Sequence, residues 1–194
     1  MIEGCTAIVM AGGDSRRMGT DKANVTLGDK TLLQAVAANM QQLFPQVIVS
    51  VRQPREGIDL PQVCDEVPDG GPLAGLVASL AQITTPWAFM VACDMPFVAP
   101  QVVELLAGYR ARHQAVVPVV HGHPQPLAAF YAASCLAPLR ASFAAGQKGL
   151  RGVLQQLDVR YVDEAEMLAA DPHLRSFFDL DTPQDVEAAR SGVR

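Results

Sequence analysis

Six positions near the start of this chain combine into a phosphate-binding pattern. Gly12, Gly13 and Gly19 share one loop with Arg16, Arg17 and Lys22, directly after the apolar run Cys5–Met10. Glycines let a backbone turn sharply and approach a ligand closely. Exposed N–H groups beside cations suit phosphate oxygens. The loop lacks the Gly-x-x-x-x-Gly-Lys-Ser/Thr order of a Walker P-loop, and its glycine spacing does not fit the Gly-x-Gly-x-x-Gly dinucleotide fingerprint. The competing reading is a surface turn with solvated charges. The strand immediately upstream, together with three glycines and three cations, favours phosphate.

Carboxylates supply the next candidates. Asp94 ends the apolar run Trp87–Ala92 within Cys93-Asp94-Met95-Pro96. There it can hold Mg2+ through a carboxylate oxygen, with the ion bridging to substrate phosphates, or serve as a turn residue ahead of Pro96. Asp65 follows Val63-Cys64 and precedes Gly71-Pro72-Leu73-Ala74-Gly75. That segment opens a helix whose free N–H groups suit an anion or a base edge, although Gly71, Pro72 and Gly75 serve equally for packing and helix initiation. Asp179 and Asp181 alternate with apolar residues and so point to one side of an extended chain. They read equally well as metal or substrate contacts and as cap and loop residues before the last helix. His121-Gly122-His123 has no cysteine or carboxylate cluster around it and reads as a polar hairpin turn.

The elements that would position these residues follow from apolar periodicity. Short continuous runs at Cys5–Met10, Val47–Val51, Trp87–Ala92 and Ala115–Val120 suit strands buried on both faces of a parallel sheet. Helical spacing covers Thr31–Leu43, Pro72–Ile83 and Pro100–Arg112. Later, Gln125–Tyr131 and Val159–Val162 read as strands, and Ser134–Ala145 and Gly149–Leu157 as helices. Thr182–Arg190 reads as a terminal helix with Thr182 as cap, Pro183 in the first turn and Asp185 at N3. Strands alternating with helices imply an α/β fold with three layers, α/β/α, around an open, mostly parallel, Rossmann-like sheet. Ligands on such sheets bind beyond the carboxyl ends of the strands. The expectation is a single domain over 1–194, with 1–100 mainly for the nucleotide and 101–194 mainly for an acceptor.

Composition narrows the class. Apolar residues make up 49% and charged residues 18% of 194, which implies an ordered core. The net charge of −5 argues against a general nucleic-acid or anionic-membrane surface, so anion binding must be local. The longest apolar run, Trp87–Cys93, is far short of the ~20 residues of a membrane span, and no signal stretch opens the chain. Cys5, Cys64, Cys93 and Cys135 form no Cys-x-x-Cys pair and read as reduced core thiols of a cytoplasmic protein.

With these residues in view, the chain resembles the molybdenum cofactor guanylyltransferases over nearly its whole length. The resemblance rests on Met10–Lys22, Thr26–Leu33, Asp65, Gly71–Gly75, Cys93–Pro96, Gln125–Tyr131 and the Asp-Leu-Asp-Thr-Pro-Gln-Asp run at 179–185. Cytidylyl relatives carry Ala-Gly where this chain has Gly12-Gly13. The resemblance implies a nucleotidyltransferase fold and transfer of GMP from GTP to the terminal phosphate of molybdopterin, or Mo-molybdopterin, with Mg2+. It implies that Met10, Ala11, Gly12 and Gly13 line the nucleotide site, Lys22 meets the triphosphate with Arg17 as a weaker candidate, Asp65 contacts the nucleotide and Asp94 holds the metal. Gly75 and Ser50 join the nucleotide-binding set. Cofactor-synthesis and molybdoenzyme-maturation proteins are implied partners. Two positions depart from the family pattern. Ser50 stands where many members have asparagine, and Asp179 and Asp181 stand in a motif that is often Asn-x-Asn-Thr-Pro. Carboxylates there favour a metal- or cation-facing role. The alternatives are a cytidylyl or sugar-phosphate nucleotidyltransferase and a module that binds GTP without turnover.

Overall fold

Residues 1–12, 21–65, 67 and 70–190 are described by a computed structural model of the chain. In chain order, β1 (Cys5–Met10) is followed by a small hairpin, β2 (Thr26–Leu27) and β3 (Lys30–Thr31), which leads into α1 (Leu32–Leu43). Next come β4 (Gln46–Val51), β5 (Gln62–Cys64), α2 (Gly71–Leu80), β6 (Trp87–Ala92) and α3 (Pro100–Gly108). The second half contains β7 (Ala115–Val120), β8 (His123–Pro124), β9 (Ala128–Ala132), α4 (Leu136–Ala144), α5 (Leu150–Val153), β10 (Val159–Val162), α6 (Glu164–Ala170) and α7 (Pro183–Arg190).

The main sheet has the order β10-β7-β9-β6-β1-β4-β5, with β8 paired to β7. β1 pairs parallel with β4 and β6, β4 with β5, and β7 with β10. β9 runs antiparallel to both β6 and β7, so the sheet is mostly parallel with one reversed strand. The residues of β1 explain its central place, since Cys5, Ala7 and Val9 enter one core and Ile8 the other. The first core packs against Leu33, Val36 and Met40 of α1, Val102, Val103 and Leu106 of α3 and Met167 of α6. The second packs against Leu73, Leu76 and Leu80 of α2, Leu139 of α4 and Leu150 of α5. The architecture is thus three-layer α/β/α, as the alternation of strands and helices implies. A smaller cluster, Leu32, Leu180 and Val186, seats α7 beside the β2–β3 hairpin and α1.

Several helix starts follow from local chemistry. Thr31 and Gln34 exchange side-chain and backbone hydrogen bonds at 3.2 and 2.9 Å and close a capping box on α1. Thr182 and Asp185 do the same for α7, at 3.2 and 2.9 Å. His121 and Gly122 turn β7 into β8 with φ of 52° and 74°, the left-handed pair favoured in tight hairpins.

Several element extents differ from expectation, α1 and β4 by a single residue at their starts. The helix expected over Pro72–Ile83 starts at Gly71 and ends at Leu80, and α3 stops at Gly108 with a 3-10 turn at Arg110–Arg112, as a glycine loosens the α-helix there. A 3-10 turn at Ala133–Cys135 precedes α4, and another at Leu154–Gln156 follows α5. β9 begins three residues later than Gln125, because Gln125–Leu127 make a turn in which the Ala128 N–H reaches the Gln125 carbonyl at 3.2 Å. α6 lies where the periodicity gives no helix. It buries Met167 alone, too little for an apolar stripe, and is held by the capping box of Asp163 and Glu166. All four cysteines are free thiols, three buried and Cys64 half-buried. Among the described residues no helix is long and apolar enough to cross a membrane.

Candidate active site

Because β1, β4, β5 and β6 run parallel, their carboxyl ends open onto one edge. The Ala11 N–H reaches the Ser50 carbonyl at 2.8 Å and the Cys93 N–H reaches the Met10 carbonyl at 3.0 Å, so the three strand exits are laced together. Above them lies a cavity of about 320 Å³ lined by residues that include Met10, Ala11, Gly12, Lys22, Arg52, Asp65, Gly71 and Asp94. It sits where parallel α/β sheets bind ligands.

Lys22 stands at the centre of the charge arrangement. It opens a 3-10 turn, Lys22–Asn24, that Asp21 caps by accepting the Ala23 N–H at 3.1 Å. Its Nζ donates to Asp94 Oδ2 at 2.8 Å and also to Asp181 Oδ1. The Lys22 and Asp94 side chains are only 18% and 16% exposed, so their attraction is less screened than that of a surface pair. Burial works against the ammonium, but the hydrogen bonds to Asp181 and Asp94 outweigh it and raise the Lys22 pKa above its ordinary value. Lys22 therefore stays charged at neutral pH. Asp94 is also tied through its backbone, its carbonyl accepting the Leu180 N–H at 2.9 Å. That bond draws the Asp179–Asp181 segment to the end of β6.

Asp179 keeps much of its residue surface accessible while its carboxyl group is crowded by protein atoms. Burial of that group, followed by the charges of Asp94 and Asp181, pushes it up to about 6, with Lys22 opposing. Asp65 is also raised, chiefly by burial and against the pull of Arg52. Three carboxylates thus gather about one ammonium, although among the described residues no group of three or more His, Cys, Asp or Glu has metal-holding geometry.

Of the residues singled out in the sequence, Met10, Ala11, Gly12, Lys22, Asp65 and Asp94 meet at the cavity, and Asp179 and Asp181 join them through Lys22 and Asp94. Gly13 and Arg17 lie outside the described residues. Ser50 and Gly75 pack together behind the cavity. A Cβ on Gly75 would fall 2.5 Å from Met10 Cε and 2.7 Å from Ser50 Oγ, so the glycine lets α2 approach the strands. Sequence reading missed Asp21, Arg52 and Arg55. Arg55 Nη2 donates to the Ala11 carbonyl at 3.0 Å and to the Asp21 carboxylate, tying together the two sides of the glycine loop. Gln62 fixes Arg55 in turn, accepting its N–H and donating to its carbonyl, each at 2.8 Å. The available signal was position, since Arg52 and Arg55 directly follow the carboxyl end of β4.

Comparison with known proteins matches residues 7–162 to the family described as the MobA-like NTP transferase domain. A probable molybdenum cofactor guanylyltransferase of Chloroflexus aggregans is 37% identical, over 96% of this chain and 93% of its own. Another, from Methanosarcina mazei, is 34% identical over 94% of this chain and 88% of its own. Among solved structures, molybdopterin-guanine dinucleotide biosynthesis protein A from Archaeoglobus fulgidus superposes with a TM-score of 0.83 at 30% identity, covering 96% of this chain and 97% of that one. The 4-diphosphocytidyl-2C-methyl-D-erythritol synthase of Anaerococcus prevotii, 12% identical with a TM-score of 0.73 over 99% and 97% of the two chains, shares the fold.

Proposed function

The chain belongs to the MobA-like NTP transferases, and we propose that its site transfers GMP from GTP to the terminal phosphate of molybdopterin, giving the guanine dinucleotide form of the cofactor. An oxygen of the molybdopterin phosphate attacks the α-phosphorus of GTP, the bond from that phosphorus to the bridging oxygen breaks, and pyrophosphate leaves with the electron pair. A phosphate monoester is already anionic at neutral pH, so the attack needs no strong base. Catalysis then reduces to positioning and to stabilising charge where it develops.

The observation that carries this reading is the Lys22 ammonium, anchored by Asp94 and Asp181 at the mouth of a cavity formed by strand ends and the stem of a glycine loop. In this role Lys22 meets the triphosphate and stabilises charge on the departing pyrophosphate, with Arg17 as a weaker candidate for the same task. Gly12 lines the same cavity, whereas the Ala11 N–H and carbonyl are already engaged by Ser50 and Arg55, so Ala11 serves as cavity wall; Gly13, beyond the described residues, is assigned to the same nucleotide-binding set. Asp65 faces the nucleotide, while Gly75 and Ser50 shape the wall behind Met10. The hard carboxylate oxygens around Lys22 suit Mg2+, with Asp94 as first ligand and Asp179 or Asp181 as candidates for the acceptor side or a second ion. When bound there the ion would neutralise phosphate charge. The acidic pair at 179 and 181 fits a cation-facing role, since Asp181 already accepts from Lys22.

Equilibrium binding of GTP, CTP, ATP and UTP, each with and without Mg2+, tests the nucleotide and metal assignments together. Preference for GTP, strengthened by Mg2+, is expected. Equal affinity for all four nucleotides, or no response to the metal, contradicts those assignments.

A further inference from the structure

A second hollow, of about 450 Å³, opens on the same carboxyl edge of the sheet at the end of β7. Its size lies within the ~300–1,000 Å³ usual for small-molecule sites. Phe97, Phe177 and Phe178 line it, and the Arg175 guanidinium lies 5.0 Å over the Phe97 ring centre. Gln125 adds an amide that both donates and accepts. Two further lining residues, His121 and Leu174, are the non-glycine residues with positive φ among the described residues, at 52° and 51°. A leucine resists that conformation, and backbone strain of this kind concentrates at ligand sites.

Three chain segments join this hollow to the cavity at Lys22. Leu127 lines the cavity and Gln125 the hollow. Phe97 follows Asp94 by three residues and Phe178 precedes Asp181 by three, a reach of at most about 10 Å in each case. The Leu180–Asp94 hydrogen bond holds the last two of these segments side by side. A ring seated in the hollow can therefore carry a phosphate on a short arm to Lys22.

We propose that this hollow seats the pterin ring of the acceptor, with its phosphate arm directed past Phe178 to Lys22. The proposal rests on the guanylyl-transfer reading. A pterin is a flat heterocycle with an edge of alternating donors and acceptors. Phenylalanine rings and a stacked guanidinium complement its faces, and the Gln125 amide complements its edge.

The test titrates the wild-type protein, Arg175→Ala and Gln125→Leu with 6-carboxypterin, followed by pterin fluorescence, and measures KM for molybdopterin and for GTP in each. Arg175 is exposed, so its variant keeps the fold, which a melting curve verifies. Each substitution is expected to weaken the probe and to raise the molybdopterin KM by about three- to fivefold, as for loss of one stacked cation at Arg175 or of one hydrogen bond at Gln125. The GTP KM stays unchanged and GTP does not displace the probe. Wild-type behaviour in both variants, no probe binding to the wild-type protein, or displacement of the probe by GTP overturns the assignment. If the probe binds and the variants weaken it while the wild-type protein forms no dinucleotide, the transfer reading falls and the ring site stands.

Discussion

Replacing Gly71 by alanine tests how the entry to α2 is set. Gly71 has φ of +68°, and an alanine Cβ would lie 2.9 Å from the Lys148 carbonyl oxygen and 3.5 Å from its Cβ. That carbonyl accepts the Leu73 N–H at 3.3 Å, so it cannot retreat without loosening the first turn of α2. Gly28 is the control, with φ of +67° and nothing within 4 Å of the added Cβ. Left-handed backbone costs an alanine roughly 1–2 kcal/mol, less about 0.4–1 kcal/mol regained because alanine restricts the unfolded chain. Gly28→Ala should therefore lose about 1 kcal/mol or less. Gly71→Ala adds an overpacking term of roughly 1–3 kcal/mol against backbone, for a total near 2–3 kcal/mol. At this chain length the melting temperature would fall by about 4–12 °C. Urea unfolding of the wild-type protein and both variants gives the midpoints, and an unchanged slope verifies that the comparison is one of stability. Equal midpoints for the two variants would refute the claim that the Lys148 carbonyl fixes the start of α2.

Lys22→Ala and Asp94→Ala are each expected to lose about 100-fold or more in pyrophosphate release, the scale of removing a transition-state charge partner, with an unaltered circular dichroism spectrum. Near-normal release by either variant removes the role assigned to that residue. Asp179 gives a pH prediction. Its folded pKa of about 6 lies above the unfolded value, near ~3.9, so between these values the folded chain binds more protons and stability from this group falls as pH rises. Asp179→Asn should raise the urea midpoint at about pH 7.5, with the gain vanishing below about pH 4; a gain independent of pH would contradict the perturbed carboxyl. Burial pushes the thiols of Cys5, Cys93 and Cys135 up to about 12. A disulfide reagent should thus modify Cys64 alone in the native protein and all four cysteines in denaturant.

The fold was legible where residues are apolar on both faces. β1, β6 and β7 show as unbroken runs because each side of the sheet is covered, and Asp94 stands out because it ends one of them. α6 left no such trace, since it buries Met167 alone, although its Asp163–Glu166 capping pair was readable. The site was legible in its parts and not in its geometry. Lys22, Asp94 and Asp181 each belong to a motif, yet Lys22 and Asp181 lie 159 residues apart, and only the register of β1 with β6 and the Leu180–Asp94 bond bring them together. Arg55 lies 44 residues from the carbonyl it holds. Its one readable sign was its place just after β4, and nothing local marks the tertiary hydrogen bonds it makes.

The identity of the transferred group and of its acceptor is open to one direct measurement. Incubation of the purified protein with molybdopterin, Mg2+ and equal concentrations of GTP, CTP, ATP and UTP, followed by mass analysis of the dinucleotide product, measures both at once. The expected product is molybdopterin guanine dinucleotide, with one pyrophosphate released per product. A cytosine dinucleotide, or tight GTP binding with no pyrophosphate released, would contradict it.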